Sequence, residues 1–216
     1  MKKFTKTILA AAVLSASTVA QAEISANVGF VSEYYFRGVN LGDAGAYAGA
    51  DFEHSGFYAG VWAIDDSDDG NSGLETDFYL GYGTEFSGVS VGLGYTRFEY
   101  TNSGDFEHEI NFTLGYQGFG FEYTTGEDDD EGEDETDYDF IALSWSGEVF
   151  GATYGSYEND DTDDEYDYFE LSASGEVAGL DASLTLGQRT NIKDASGDVE
   201  SDDAYLFIDI SKSFDL

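Results

Sequence analysis

From residue 24 to the C-terminus, apolar residues alternate with small or polar ones in segments close to ten residues long, separated by clusters of Gly, Ser, Asn and Asp. A side-chain period of two marks a β-strand with unlike faces, and about ten residues is what an inclined strand needs to cross a bilayer. Residues 106–117 show it most clearly: Phe106, His108, Ile110, Phe112, Leu114 and Tyr116 share one face, and Glu107, Glu109, Asn111, Thr113, Gly115 and Gln117 the other. Residues 74–86 oppose Leu74, Phe78, Leu80, Tyr82 and Phe86 to Glu75, Asp77, Gly81, Gly83 and Glu85, and residues 180–189 oppose Leu180, Leu184 and Leu186 to Asp181, Ser183, Gly187 and Arg189. A soluble sheet has room for one or two such strands, but here almost the whole chain is built of them. Proline is absent, so no strand loses a ladder donor, and cysteine is absent, so packing and hydrogen bonds alone hold the fold.

The pattern predicts twelve strands, at 24–37, 46–53, 57–64, 74–86, 89–100, 106–117, 119–125, 137–146, 149–157, 166–173, 180–190 and 204–214. Residues 46–53 and 119–125 are the weakest members, and without them the count is ten. The connections alternate. Short ones hold Ser55-Gly56, Ser87-Gly88, Gly118, Gly147 and Gly179; longer, acidic ones run over 65–73, 127–136, 158–165 and 192–203. Two alternating loop classes and an even strand number describe an all-β, transmembrane, antiparallel up-and-down barrel of the bacterial outer membrane, with the competing β-sandwich lacking the alternation. Tyr34, Tyr35, Phe36, Phe86, Phe98, Tyr100, Phe106, Phe119, Tyr138, Phe140, Tyr166, Tyr168 and Phe214 stand near strand ends, where interfacial aromatic girdles are expected.

Export fits the N-terminus. Lys2, Lys3 and Lys6, an apolar run from Ile8 to Leu14 and the ending Ala20-Gln21-Ala22 make a Sec-type signal peptide over residues 1–22, leaving a barrel domain over 23–216. Beyond residue 22 only Arg37, Arg97, Arg189, Lys193 and Lys212 are basic, against all 45 acidic residues. That charge repels nucleic acid; outer-membrane lipid, the barrel-assembly machinery and small cations or other small solutes are the expected partners. The end Ile210-Ser211-Lys212-Ser213-Phe214-Asp215-Leu216 is an alternating strand similar to the C-terminal signal that assembly machinery reads.

The stretch Asn27-Val28-Gly29-Phe30-Val31-Ser32-Glu33-Tyr34-Tyr35-Phe36-Arg37-Gly38, followed by Gly56-Phe57-Tyr58-Ala59-Gly60-Val61-Trp62, resembles the opening of the Gcw_chp family, also called TorF-type porins. Glu75-Thr76-Asp77-Phe78-Tyr79-Leu80-Gly81-Tyr82 is similar to that family's next strand. Between the first two strands the chain has Gly42-Asp43-Ala44-Gly45-Ala46-Tyr47, without the Pro and Gln common there. The resemblance implies an outer-membrane porin-like barrel and carries over no catalytic residue.

If the small or polar face of each strand is the lumen, its acids are Glu33, Asp51, Glu53, Glu75, Asp77, Glu85, Glu107, Glu109, Glu122, Glu170, Asp181 and Asp209, and its bases Arg37 and Arg189. Such a lining favours cations if water fills it. A lumen plugged by side chains, with the acidic loops serving surface recognition or adhesion, is the alternative, since twelve strands lie between filled and open barrels. Arg37 is placed to pair bidentately with a lumenal acid and narrow the mouth. Trp62, sharing a face with Tyr58 and Gly60, is either an inward constriction or a girdle residue.

No enzyme is indicated: histidine occurs only at His54 and His108, and no G-x-S-x-G, H-E-x-x-H or phosphate-binding loop appears. No motif calls for a cofactor or a metal. Asp65 to Gly70 matches half a calcium loop, but Ser67 holds its third position and Thr76 its twelfth, where a bidentate Glu is required.

Overall fold

The computed structural model describes residues 22–65, 73–101, 105–129, 135–159, 161–162, 164–193 and 203–216. The expected signal peptide, and parts of the acidic loops including most of Asp65 to Gly70, lie outside the described residues. The strands are β1 (Glu23–Val31), β2 (Tyr34–Phe36), β3 (Val39–Gly42), β4 (Gly45–His54), β5 (Phe57–Asp65), β6 (Leu74–Phe86), β7 (Val89–Tyr100), β8 (Phe106–Tyr116), β9 (Phe119–Asp129), β10 (Thr136–Ser146), β11 (Phe150–Asn159), β12 (Glu165–Val177), β13 (Leu180–Lys193) and β14 (Asp203–Asp215).

β1 and β4 to β14 form one closed antiparallel barrel, β1 completing it by pairing with both β14 and β4. The twelve expected barrel strands are therefore present and the ten-strand count is set aside. Closure matters because every interior ladder group then has a partner and no edge remains. Ser55-Gly56, Ser87-Gly88, Gln117-Gly118 and Ala178-Gly179 each have positive φ at both residues, the two-residue turn whose twist matches antiparallel strands. These turns define one end of the barrel, the turn end; the longer connections define the loop end. β9, β12 and β13 each run longer toward a loop or turn than the alternation indicated, because polar and acidic residues continue the ladder beyond the apolar stretch.

The outer face is a belt of exposed apolar side chains, among them Val28, Phe78, Leu80, Leu93, Ile110, Leu143, Leu186 and Ile208. An apolar surface continuous around a barrel is stable only against lipid. At the turn end Phe57, Tyr82, Phe86, Tyr116, Phe119, Trp145, Phe150 and Phe214 are exposed on this face, which makes one girdle. Tyr34, Phe98, Tyr138, Phe140 and Tyr168 correct the girdle expectation: they are buried inside the barrel. Each of the four on barrel strands has the parity of the inward face, and parity outranks nearness to a strand end.

Inside, tyrosines lie on glycines. Tyr47 stands opposite Gly29, Tyr79 opposite Gly60, Tyr138 opposite Gly126, Tyr168 opposite Gly155 and Tyr205 opposite Gly187 on adjacent strands. Each ring occupies the space a Cβ at the glycine would need. The bare backbone lets the ring lie flat on the wall, and the hydroxyls of Tyr47, Tyr79, Tyr138 and Tyr205 then reach a carboxylate on another strand.

Candidate functional site in the barrel lumen

β1 ends at Val31, where Ser32 anchors a bend against β14: its backbone N–H donates to the Ile208 carbonyl, and its hydroxyl accepts from the Ile208 N–H, both at 2.9 Å. The chain then turns into the barrel as the hairpin β2–β3, so the single strand expected over 24–37 is in fact two elements. The hairpin tip is Arg37-Gly38, with φ of 48° and 83°, the same positive-φ pair as in the turns at the barrel's far end. A side chain on Gly38 would also collide with Tyr168, whose Cβ lies 2.7 Å from the point a Cβ would take.

The hairpin reaches walls on many sides. Tyr34 packs on Trp62 with ring centroids 6.1 Å apart and donates to Glu75 at 2.8 Å. Tyr35 stacks on Tyr205 at 4.1 Å, and Phe36 leans on Phe98 at 5.9 Å. Val31, Tyr34, Tyr47, Trp62 and Ile64 form a buried apolar cluster, which fixes Trp62 as an inward residue.

Arg37 is the centre of the site. Its two terminal nitrogens meet the two oxygens of Glu109, and one of them lies 3.2 Å from Glu122. Its guanidinium carbon sits 4.1 Å from the Phe140 ring centroid and 4.7 Å from that of Phe36. Arg37 is 9 % exposed and Glu109 2 %. Charges so far from water persist only when paired and hydrogen-bonded. The wall supplies the remaining bonds: Asn111 donates to Glu109 at 3.0 Å, Tyr138 donates to it at 2.8 Å, and Thr124 donates to Glu122 at 3.0 Å.

Glu75 and Asp77 on β6 are buried beneath the hairpin. Glu107, beside Glu109 on β8, accepts from Tyr100 at 3.2 Å and from Tyr138 at 3.3 Å. Glu170 accepts from Tyr205 at 2.8 Å, Asp209 from Tyr47 at 2.7 Å, and Asp51 from Tyr79. Asp181 is half-buried near the turn end of β13, and the Arg189 guanidinium lies 5.5 Å from the Tyr166 ring near the loop end. Glu33 is the exception among the expected lumenal acids. It is exposed in the bend after β1 and stands on no barrel strand, because the chain leaves the wall two residues earlier. His108 faces outward, its Nε2 3.8 Å from Glu127. Among the described residues no group of three or more His, Asp or Glu side chains is placed to hold a metal ion.

Between the hairpin tip and the turn end lies a cavity of about 40 Å³, room for a few waters. It is lined by Phe36, Arg37, Glu122, Phe140 and Tyr168 on the hairpin side, and by Thr113, Gly120, Ala142, Ser144 and Thr153 toward the turns. The hairpin is the part that the alternation does not show, whereas the bidentate pairing of Arg37 with an inward acid is as expected, with Glu109 as the acid. The available signal was Arg37-Gly38 flanked by Tyr-Tyr-Phe and Val-Asn-Leu, a two-residue turn doublet between short β-prone runs.

Residues 15–188 match the model of a family described as bacterial protein of unknown function (Gcw_chp). No curated protein matches. Among solved structures, the chain is similar to an outer-membrane channel from Pseudomonas putida F1, with a TM-score of 0.52 and 12 % identity over 89 % of this chain and 96 % of that one. It is also similar to a protein solved in a study of how membrane proteins crystallise in meso, with a TM-score of 0.54 and 10 % identity over 89 % of this chain and 83 % of that one. At such identities the likeness is one of fold.

Proposed function

We propose, from the premise that the chain belongs to the Gcw_chp family, that it is a porin-like channel of the outer membrane, of the TorF type, with an acidic, cation-favouring lumen for small solutes. The observation that carries the reading is a closed barrel, apolar outside, whose inward positions hold many more carboxylates than bases. The fold it shares with an outer-membrane channel supports the location. In this reading residues 1–22 are the export signal, the short turns face the periplasm and the acidic loops face outward.

Asp51, Glu53, Glu85, Asp181 and Asp209 lie in the half of the lumen nearer the turns, where no base faces them among the described barrel-wall residues. Their field lowers the energy of a cation in the lumen and raises that of an anion. Arg37 adds no positive field to the path, since Glu109 and Glu122 more than cancel it. The hairpin is the constriction, and solutes that pass must be small. A barrel that serves surface recognition through its acidic loops is the second reading, and the hairpin's packing across the loop end is what favours it.

Planar bilayers separate the two. The refolded protein under a salt gradient should give a reversal potential of cationic sign. The preference should weaken between about 0.1 M and about 1 M salt, as the screening length falls from about 10 Å to about 3 Å. Silence under all salts supports the recognition barrel, and an anionic reversal potential contradicts the lumenal assignment.

A further inference from the structure

The residues that hold Arg37 have partners on the barrel wall as well as on the hairpin. Glu109 is fixed by Asn111 on its own strand and Tyr138 on β10, and Glu122 by Thr124. Phe140 belongs to a separate buried cluster with Ala142 and Tyr168. The wall is therefore pre-formed for a planar cation: one carboxylate for a bidentate fork, a second beside it, and a ring against the flat face. Two carboxylates meet a single guanidinium, so withdrawing it leaves buried negative charge that calls for another cation. Fork and ring together favour guanidinium over a compact ammonium. The adjoining cavity places Arg37, Glu122 and Phe140 beside Thr113, Ser144 and Thr153 of the small-residue part of the lumen.

We propose that Glu109, Glu122 and Phe140 form a binding site for solutes that carry a guanidinium group, and that the chain's own Arg37 occupies this site in the described state. Such a solute competes with Arg37, and its binding releases the hairpin tip from the wall. The inference deepens the channel reading and rests on it for its consequence in transport, while the binding itself is measurable without conduction.

The test is chemical rescue. Arg37→Ala removes the side chain beyond Cβ, and ethylguanidinium has the composition of what is lost. Titration calorimetry on refolded protein in detergent should show ethylguanidinium binding to R37A. Binding to the unsubstituted protein should be weaker by at least about tenfold, because Arg37 must first leave. R37A/E109Q should not bind. In bilayers, R37A should conduct more than the unsubstituted channel. Millimolar ethylguanidinium should bring its conductance back down, while sodium at the same concentration does not. If R37A does not give a heat-modifiable folded band, Arg37→Met, which keeps the stem and drops the charge, takes its place in both measurements. Equal binding by R37A and R37A/E109Q, or no binding by R37A or R37M, overturns the site. Conducting channels without rescue or binding would sink the site and leave the channel standing. Binding with silent bilayers would keep the site and sink the channel.

Discussion

Toward the turn end, the inward positions of the barrel are Ser90, Gly92, Thr113, Gly115, Ser144, Gly151, Thr153, Ser172 and Ser183; toward the loop end, the same strands point Phe98, Tyr100, Glu107, Glu109, Tyr138, Phe140, Tyr157, Tyr168 and Arg189 inward. The first set leaves space. The second set closes on the hairpin, and both buried clusters lie at this end: Phe140 and Tyr168 with Ala142, and, on neighbouring elements, Val31, Tyr34, Tyr47, Trp62 and Ile64. One wall thus borders open space at one end and serves as a protein core at the other. The difference teaches that inward polarity by itself does not make a pore: a carboxylate there is either solvated, as Glu53 and Glu85 are, or engaged, as Glu109 is.

Glu109→Ala should have the largest effect, because it leaves the Arg37 guanidinium buried with Glu122 alone. Breaking a buried pair costs about 3–5 kcal/mol. The loss should fall on hairpin docking, since the twelve paired barrel strands do not depend on that contact. Amide exchange over residues 34–42 should accelerate by about a hundredfold or more, with β5 to β14 unchanged. Exchange that rises in the barrel as well would show that the loop-end core holds the wall together.

Smaller, but still confined to the loop-end half, is the cost of a methyl under a tyrosine. Gly155→Ala and Gly187→Ala put a Cβ into the rings of Tyr168 and Tyr205, and overpacking of this kind costs about 1–3 kcal/mol. Urea unfolding in lipid vesicles reads it. Gly175→Ala is the control, with nothing within 4 Å of the added carbon. If all three variants behave alike, the tyrosine-on-glycine contacts contribute nothing.

Least of all should change when the open half is altered. Ser144 and Thr153 stand opposite each other on the cavity wall, and with Ser144→Ala or Thr153→Ala stability should stay within about 0.5 kcal/mol. A loss of several times that value would mean the turn-end half is packed as tightly as the other.

The sequence made the barrel legible because a period of two survives any register: the twelve segments, their faces and the alternation of loop classes all follow from it. What it concealed was contact across the lumen. Period two says that Glu75, Glu109 and Tyr138 point inward; it does not say that they meet, nor that Tyr34 and Arg37 come between them. The hairpin was hidden for a related reason. Tyr34, Tyr35 and Phe36 continue the apolar character of β1, so the run read as one strand ending at Arg37, although Arg37-Gly38 has the form of Ser55-Gly56 and Ser87-Gly88. Glu33 was misplaced by the same extension. Of the thirteen aromatics expected in the girdle nine lie inside, six because their parity on the barrel strands is inward and three because they belong to the hairpin.

The contrast between an open half and a packed half stands on the hairpin. Replacing residues 34–42 by a short Gly-Ser linker removes it while keeping β1, β4 and their pairing, and single-channel recording in a salt gradient is the direct measurement. The account predicts a conductance several times that of the unsubstituted protein, with a reversal potential still cationic because the lumenal carboxylates remain. Equal conductance with and without the hairpin, or no conductance from either, would contradict it.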